Sequence, residues 1–261
     1  MDRVIILGSG AATGVPVVAK GWENCNPNNP KNVRRRSGTL VEINDTKIQI
    51  DTSQDFRCQM LDNAITELDA VLYTHVHADH VSGIDDLRAL TQYNNKSLNV
   101  YAIKEHIDEI KKRFGYVFTD VKLKEITLRP QLVENIIEYG KSFKVNNVEV
   151  MPIALAGHTV ATSGYVFNAG KLVVISDYKQ IPEQSLEYLQ KIDVNVMIMP
   201  LTQLGEQIYH ENMEINKKYI DIIKPARVIF THMGGQCDYD EIAEISPKCA
   251  VPAYDNMIVE I

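Results

Sequence analysis

Apolar residues in this chain come in short runs, each broken by glycine or by polar and charged residues. V-I-I-L at 4–7 reads as a buried strand entering a loop with three glycines, Gly8, Gly10 and Gly14. Residues 21–32 are too rich in Asn and Pro for regular structure. Two β segments, 39–44 and 47–51, flank Asn44-Asp45, a pair suited to a hairpin turn. Helical spacing covers 56–65, and A-V-L-Y-T at 70–74 is again a buried strand. Next come a helix at 84–90, a strand at 99–102 and an amphipathic helix at 106–114, with His106 expected on the surface. Residues 116–138 mix β and loop signals and read as an insertion or lid.

The second half repeats the strand-led pattern. It predicts a hairpin at 143–155, strands at 164–167 and 171–177, a helix near 185–190, a strand at 194–199, a helix at 214–223 and a strand at 227–230. Strands alternating with helices define an α/β fold. With no linker and no low-complexity segment, residues 1–261 read as one compact domain.

Composition narrows the class. The chain is 45% hydrophobic, enough to bury a large core. No apolar run approaches the ~20 residues that span a bilayer. The opening M-D-R-V-I-I-L-G lacks the basic region and long apolar core of a signal peptide. Cys25, Cys58, Cys237 and Cys249 are scattered with no C-x-x-C pair, as expected of reduced thiols in a cytoplasmic protein. A net charge of −7 argues against broad nucleic-acid binding, which rests on neutralising phosphates. The dense basic runs, Arg34-Arg35-Arg36 and Lys111-Lys112-Arg113, read as solvated faces.

The candidate chemistry begins where the strand at 70–74 ends. V-L-Y-T-H-V-H-A-D-H places His75, His77, Asp79 and His80 within six positions. Three further strands end the same way: His158 follows M-P-I-A-L-A-G, Asp177 follows L-V-V-I-S, and His232 follows V-I-F-T. In a sheet-based fold, strand ends on one edge converge and their loops carry the chemistry. Imidazoles and carboxylates at this density suit Zn²⁺, Mn²⁺ or Fe²⁺. Taken alone, Asp177 reads as a cap or turn residue. With the first cluster, it and the two later histidines supply a third ligand for each of two ions and a carboxylate able to bridge them. Two ions ~3.5–4 Å apart can activate water and clamp an attacked phosphoryl or carbonyl group.

These motifs resemble the metallo-β-lactamase fold superfamily over nearly the whole chain. The resemblance implies an αββα four-layer sandwich and two divalent transition-metal ions, Zn²⁺ or Mn²⁺. It places His75, His77 and His158 on the first ion, Asp79, His80 and His232 on the second, and Asp177 between them. L-G-S-G-A-A-T-G-V-P at 7–16, R-F-G-Y-V-F at 113–118, T-H-M-G-G-Q-C-D-Y-D at 231–240 and A-Y-D-N-M at 253–257 are similar to one branch. That branch contains the phosphoribosyl 1,2-cyclic phosphate phosphodiesterase and is related to ribonuclease Z. It implies a small or cyclic phosphodiester as substrate, attacked by a metal-bridging hydroxide that Asp79 orients. His210 matches a histidine near the scissile phosphate, as general acid or as hydrogen-bond donor. A homodimer is a family-level expectation, membrane association is not expected, and nucleic acid is disfavoured as a partner. The alternatives are an RNA-processing nuclease of the ribonuclease Z type and a metal-binding protein without turnover.

Two departures stand out. Branch members carry a cysteine-rich segment after the G-V-P loop and a histidine in T-H-M-x-H, which together hold a structural zinc. Here Cys25 is the only sulfur in that segment and Gly235 takes the histidine's place, so that zinc is expected to be absent. M-I-M-P-L-T-Q at 197–203 also lacks an aspartate and an arginine common in the branch.

Overall fold

The computed structural model describes residues 1–118, 129–205 and 208–261. It contains two seven-stranded sheets. In chain order the elements are β1 (Arg3–Gly8), β2 (Gly38–Ile43), β3 (Thr46–Ile50), α1 (Phe56–Asp62), β4 (Ala70–Leu72), α2 (Ala78–Val81), α3 (Leu87–Tyr93), β5 (Leu98–Ile103), α4 (Lys104–Phe114) and β6 (Leu132–Ile137). There follow β7 (Phe143–Val145), β8 (Val148–Leu155), β9 (Thr162–Phe167), β10 (Leu172–Val174), α5 (Glu183–Gln190), β11 (Val196–Pro200), α6 (Met213–Ile223), β12 (Arg227–Thr231), α7 (Tyr239–Ile245), β13 (Ala250–Pro252) and β14 (Met257–Glu260).

The first sheet runs β14-β1-β2-β3-β4-β5-β6 and the second β13-β12-β11-β10-β9-β8-β7. Each has an antiparallel half joined to a parallel half, which begins at β3 in one sheet and at β10 in the other. Strands covered on both faces read as continuous apolar runs, which is why 4–7 in antiparallel β1 and 70–72 in parallel β4 contain no polar residue. Successive side chains point to opposite faces. Val4, Ile6, Ala70 and Leu72 therefore enter the core shared with the second sheet. Ile5, Leu7, Val71 and Tyr73 pack outward beneath Phe56, Leu87, Ile107 and Ile110 of the helices. Leu189, Tyr219 and Ile220 belong to the core on the side of the second sheet. The architecture is the α/β sandwich of two sheets flanked by helices.

Several expectations change. The 253–260 tail supplies β14, which closes the first sheet beside β1. The 116–138 region is no simple insertion, because β6 pairs with β5 as a full sheet member. The rest of that stretch, 119–128, lies outside the described residues. His106 is not on the surface. It is 1% exposed on the core side of α4 and donates from Nε2 to the Ala161 carbonyl at 3.0 Å. Arg34 is likewise no solvated charge, at 2% exposure.

The three-glycine loop behaves as a close-approach segment. An added Cβ would sit 2.1 Å from the Arg36 carbonyl oxygen at Gly8 and 2.8 Å from the Arg35 carbonyl oxygen at Gly10. That closeness lets Ser9 and Ala11 exchange backbone hydrogen bonds with Met233, the residue after His232.

Candidate metal centre

Both sheets deliver C-terminal strand ends to one place, β4, β10 and β12 from their parallel halves and β8 from the antiparallel half of the second. The loop after β4 carries His75 and His77, and α2 carries Asp79 and His80. His158 follows β8, Asp177 follows β10 and His232 follows β12, with the last in the left-handed region at φ 55°. All seven sequence-predicted residues meet here, and His210 joins them.

The distances define two neighbouring groups. His75 Nε2 lies 3.1 Å from His77 Nδ1, which lies 3.0 Å from His158 Nε2. Asp79 Oδ2 lies 3.3 Å from His80 Nε2 and 3.4 Å from His232 Nε2. Asp177 sits between the groups, with Oδ2 3.9 Å from His75 Nε2, 3.9 Å from His158 Nε2 and 3.8 Å from His80 Nε2. Its Oδ1 is 3.5 Å from His232 Nδ1. Donor atoms of His158, Asp177 and His210 also lie within 4.8 Å of one another.

The outer partners fix which ring nitrogens carry hydrogen. His158 Nδ1 faces the Tyr209 carbonyl at 3.0 Å, which can only accept, so Nε2 keeps its lone pair. His80 Nδ1 donates to Asp51 Oδ2 at 2.7 Å, so in the neutral ring its Nε2 also has a lone pair, and this buried atom has no hydrogen-bond partner. The Thr74 hydroxyl gives its one hydrogen to Asp51 Oδ2 at 2.7 Å. It therefore accepts from His75 Nδ1 at 3.0 Å, leaving His75 Nε2 as a lone pair too. One imidazole hydrogen on His77 could satisfy only one of its two neighbours. A shared cation satisfies all of them, and the donor set fits divalent ions of the zinc or manganese type.

The electrostatics favour free lone pairs at His75 and His77 and positive charge, a proton or an ion, at His80 and His232. Burial, aided by His80 and His77, drives His75 well below the ordinary imidazole range. Burial also lowers His77. Burial opposes charge on His80, but Asp51 and Asp79 outweigh it and raise the imidazole well above normal. Burial would raise Asp79 and Asp177, yet the surrounding imidazoles hold both carboxylates below their usual range. His210 is half-buried, and that burial brings it down to about 4. Glu211 is fully buried, and burial followed by Asp177 pushes it up to about 7.

Three supporting features escaped the sequence reading. Asp51 ends β3 just as Asp177 ends its strand, and the same strand-end rule could have found it. It accepts from Thr74 N at 2.8 Å, Thr74 Oγ1 and His80 Nδ1. Arg113, in the R-F-G-Y-V-F stretch, donates to the Val76 carbonyl at 2.6 Å and so steadies the loop between His75 and His77. Thr202, after β11, touches both His210 and His232.

At the expected position of the structural zinc, Cys25 and Gly235 do come together, with Sγ 3.4 Å from the Gly235 carbonyl oxygen. A guanidinium lies beside the thiol. Arg34 Nη1 is 3.8 Å from Cys25 Sγ and 3.2 Å from the Gly234 carbonyl oxygen, and Nη2 donates to Asn32 Oδ1 at 3.0 Å. Asn32 in turn donates to Asp238 Oδ2 at 2.7 Å. A Cβ at Gly235 would sit 2.4 Å from Glu23 Oε2, so the glutamate side chain occupies the place a larger residue would need.

A site of this form, on two face-to-face sheets, marks a metallo-hydrolase fold. Residues 46–233 match the β-lactamase superfamily domain, and the chain belongs to that family. An octanoyltransferase of Porphyromonas gingivalis W83 is 31% identical over 98% of this chain and 51% of its own length. A ribonuclease Z of Clostridium acetobutylicum is 27% identical over 54% of this chain and 46% of its own. The chain thus spans about half the length of these two relatives. A diphosphatase from the PhnP family has the same fold, with a TM-score of 0.88 and 23% identity, over 100% of this chain and 98% of that one.

Proposed function

We propose that residues 1–261 form a single dinuclear metal-dependent phosphodiesterase domain acting on a small or cyclic phosphodiester of the phosphoribosyl cyclic phosphate type. The observation that carries this reading is the convergence of lone pairs from His75, His80 and His158 around the Asp177 carboxylate. His75, His77 and His158 would hold one ion, Asp79, His80 and His232 the other, and Asp177 both. Such ions act as Lewis acids on phosphoryl oxygens and lower the pKa of water toward neutrality.

The remaining work falls to the protein. Asp79, held ionised by His232 and His80, is an acceptor able to orient the attacking water. His210 stands beside His158, with ring centroids 4.8 Å apart, and can meet the phosphoryl or leaving oxygen. Because burial keeps His210 neutral near pH 7, hydrogen-bond donation suits it better than acid catalysis. The diphosphatase fold and the ribonuclease Z similarity support phosphoester chemistry. The net charge of −7 favours a small substrate over RNA. Among the described residues no helix is long and apolar enough to cross a membrane. All four cysteines are free, consistent with a reducing cytoplasm. Homodimerisation belongs to the same family-level reading and is checked by light scattering.

The test is turnover by protein of measured zinc or manganese content. Its substrates are a ribose cyclic phosphate, bis(p-nitrophenyl) phosphate, a tRNA with a 3′ trailer and p-nitrophenyl octanoate. Small diesters should be hydrolysed and His210→Ala should slow them with both ions retained. Preferred cleavage of the tRNA would establish the nuclease reading, and preferred octanoate cleavage an acyl hydrolase. No turnover with two ions bound would leave a metal-binding protein.

A further inference from the structure

Thr202 sits at a junction that the proposed chemistry does not yet use. Its Oγ1 lies 3.2 Å from His232 Nδ1 and 3.4 Å from His210 Nδ1. The residue is held on both backbone sides. Its N–H donates to Glu211 Oε1 at 2.8 Å, and its carbonyl accepts from Gly234 N at 3.2 Å. The first of these contacts ties Thr202 to Glu211, the residue that follows His210. The hydroxyl is therefore fixed between two imidazoles, one belonging to the metal centre and one standing over it.

A hydroxyl has a single hydrogen and two lone pairs, so it can donate to at most one of these nitrogens, and doing so satisfies both contacts when it accepts from the other. His232 Nε2 points to Asp79 Oδ2 at 3.4 Å. In the metal-centre reading, on which this inference rests, that nitrogen offers its lone pair to an ion. The His232 hydrogen must then be on Nδ1, where the Thr202 oxygen at 3.2 Å is a nearer acceptor than Asp177 Oδ1 at 3.5 Å. The Thr202 hydrogen is left for His210 Nδ1, which can accept it only as a lone pair. His210 must then carry its own hydrogen on Nε2, an atom with no hydrogen-bond partner among the described residues.

We propose that Thr202 is a positioning residue that sets the tautomer of His210, so that a neutral Nε2–H donor is presented to an oxygen of the phosphodiester. No proton moves through Thr202, and each hydrogen stays on the atom named. The reversed chain, with Thr202 donating to His232, would place the His210 hydrogen on Nδ1 and turn Nε2 into an acceptor. The two arrangements predict opposite chemistry from the same distances.

The test uses zinc-loaded full-length protein labelled with ¹⁵N-histidine, with the His210 signals identified by their loss in His210→Ala. Long-range ¹H–¹⁵N spectra should show His210 protonated at Nε2, with a hydrogen-bonded, unprotonated Nδ1. Thr202→Val should shift the Nδ1 signal toward its free position, and Thr202→Ser should restore it. Turnover of a small diester should fall about three- to tenfold in Thr202→Val, the worth of one hydrogen bond, and recover in Thr202→Ser. The same substitution should cost nothing further in a His210→Ala background, which a merely structural role could not explain. A His210 hydrogen on Nδ1, or an equal cost of Thr202→Val with and without His210, would overturn the inference. If no diester is turned over, the functional reading fails and the spectra alone decide the tautomer.

Discussion

Replacing Asp51 by asparagine removes a charge and one acceptor while keeping the shape of the side chain. Asparagine is the apt choice because Asp51 has φ 57°, a left-handed conformation that Asn adopts at lower cost than Ala. Asp51 Oδ1 accepts from the Thr74 backbone N–H at 2.8 Å, and that group can only donate. The new amide must therefore keep its oxygen there and place its NH₂ where Oδ2 stood, 2.7 Å from His80 Nδ1. Facing a donor, His80 is forced to accept at Nδ1 and carry its hydrogen on Nε2, the atom that now faces Asp79 and Asp177. Binding an ion at Nε2 would then set two N–H groups against each other. A buried donor left unmatched costs about 1–3 kcal/mol, in line with the ~10–100-fold loss of affinity when an outer partner of a metal-ligating histidine is removed. Zinc titration against a chromogenic chelator should show affinity lowered by that factor at His80 and lowered at His75 as well, because Thr74 loses the Oδ2 acceptor that sets the His75 tautomer. Circular dichroism of the metal-free variant would confirm an intact fold. If both affinities stay within a factor of two of the parent in a folded variant, the tautomer argument is wrong.

Three more outcomes follow from the same structure. Glu211 titrates near 7 when folded against an ordinary 4.5, so the folded state holds an extra proton between these values. Metal-free stability should fall as pH rises from about 4.5 to 7, and Glu211→Gln should recover up to about 3 kcal/mol at pH 8 but little at pH 4. A pH-independent gap in urea melts would refute this. Arg34→Met should lower stability by roughly 1–3 kcal/mol by removing the charged hydrogen bonds to the Gly234 carbonyl and Asn32 Oδ1, which keep only Cys237 N and Tyr239 N as donors, seen as a melting-temperature drop of several degrees. An unchanged melting temperature would mean the guanidinium network contributes nothing. Arg113→Met should weaken zinc by a few-fold without unfolding the protein, through the freed Val76 carbonyl. Lysine at that position should recover part of the loss, and an unchanged zinc affinity would remove Arg113 from the site.

The sequence alone determined what is local. Whether a strand is buried, and which residue ends it, is written in consecutive positions, so the apolar runs before His75, Asp177 and His232 were legible. H-x-H-x-D-H also declares its chemistry within one turn of chain. Tertiary structure decided the pairings. His77 and His158 are 81 positions apart and meet only because β4 and β8 deliver their ends to the same edge. Asp51 reaches Thr74 and His80 because β3 and β4 run parallel with Ile50 opposite Leu72, which sets Asp51 beside Tyr73. Thr202 reaches His232 through the matching register of Pro200 with Thr231. Amphipathic spacing could not place His106, because the outer face of the first sheet and the Ala161 carbonyl cover the side of α4 that carries it. Arg34 looked solvated because a basic run reveals nothing of the carbonyls, thiol and amide that fold around it. Strand register and loop closure are sums over distant segments, and no window of sequence contains them.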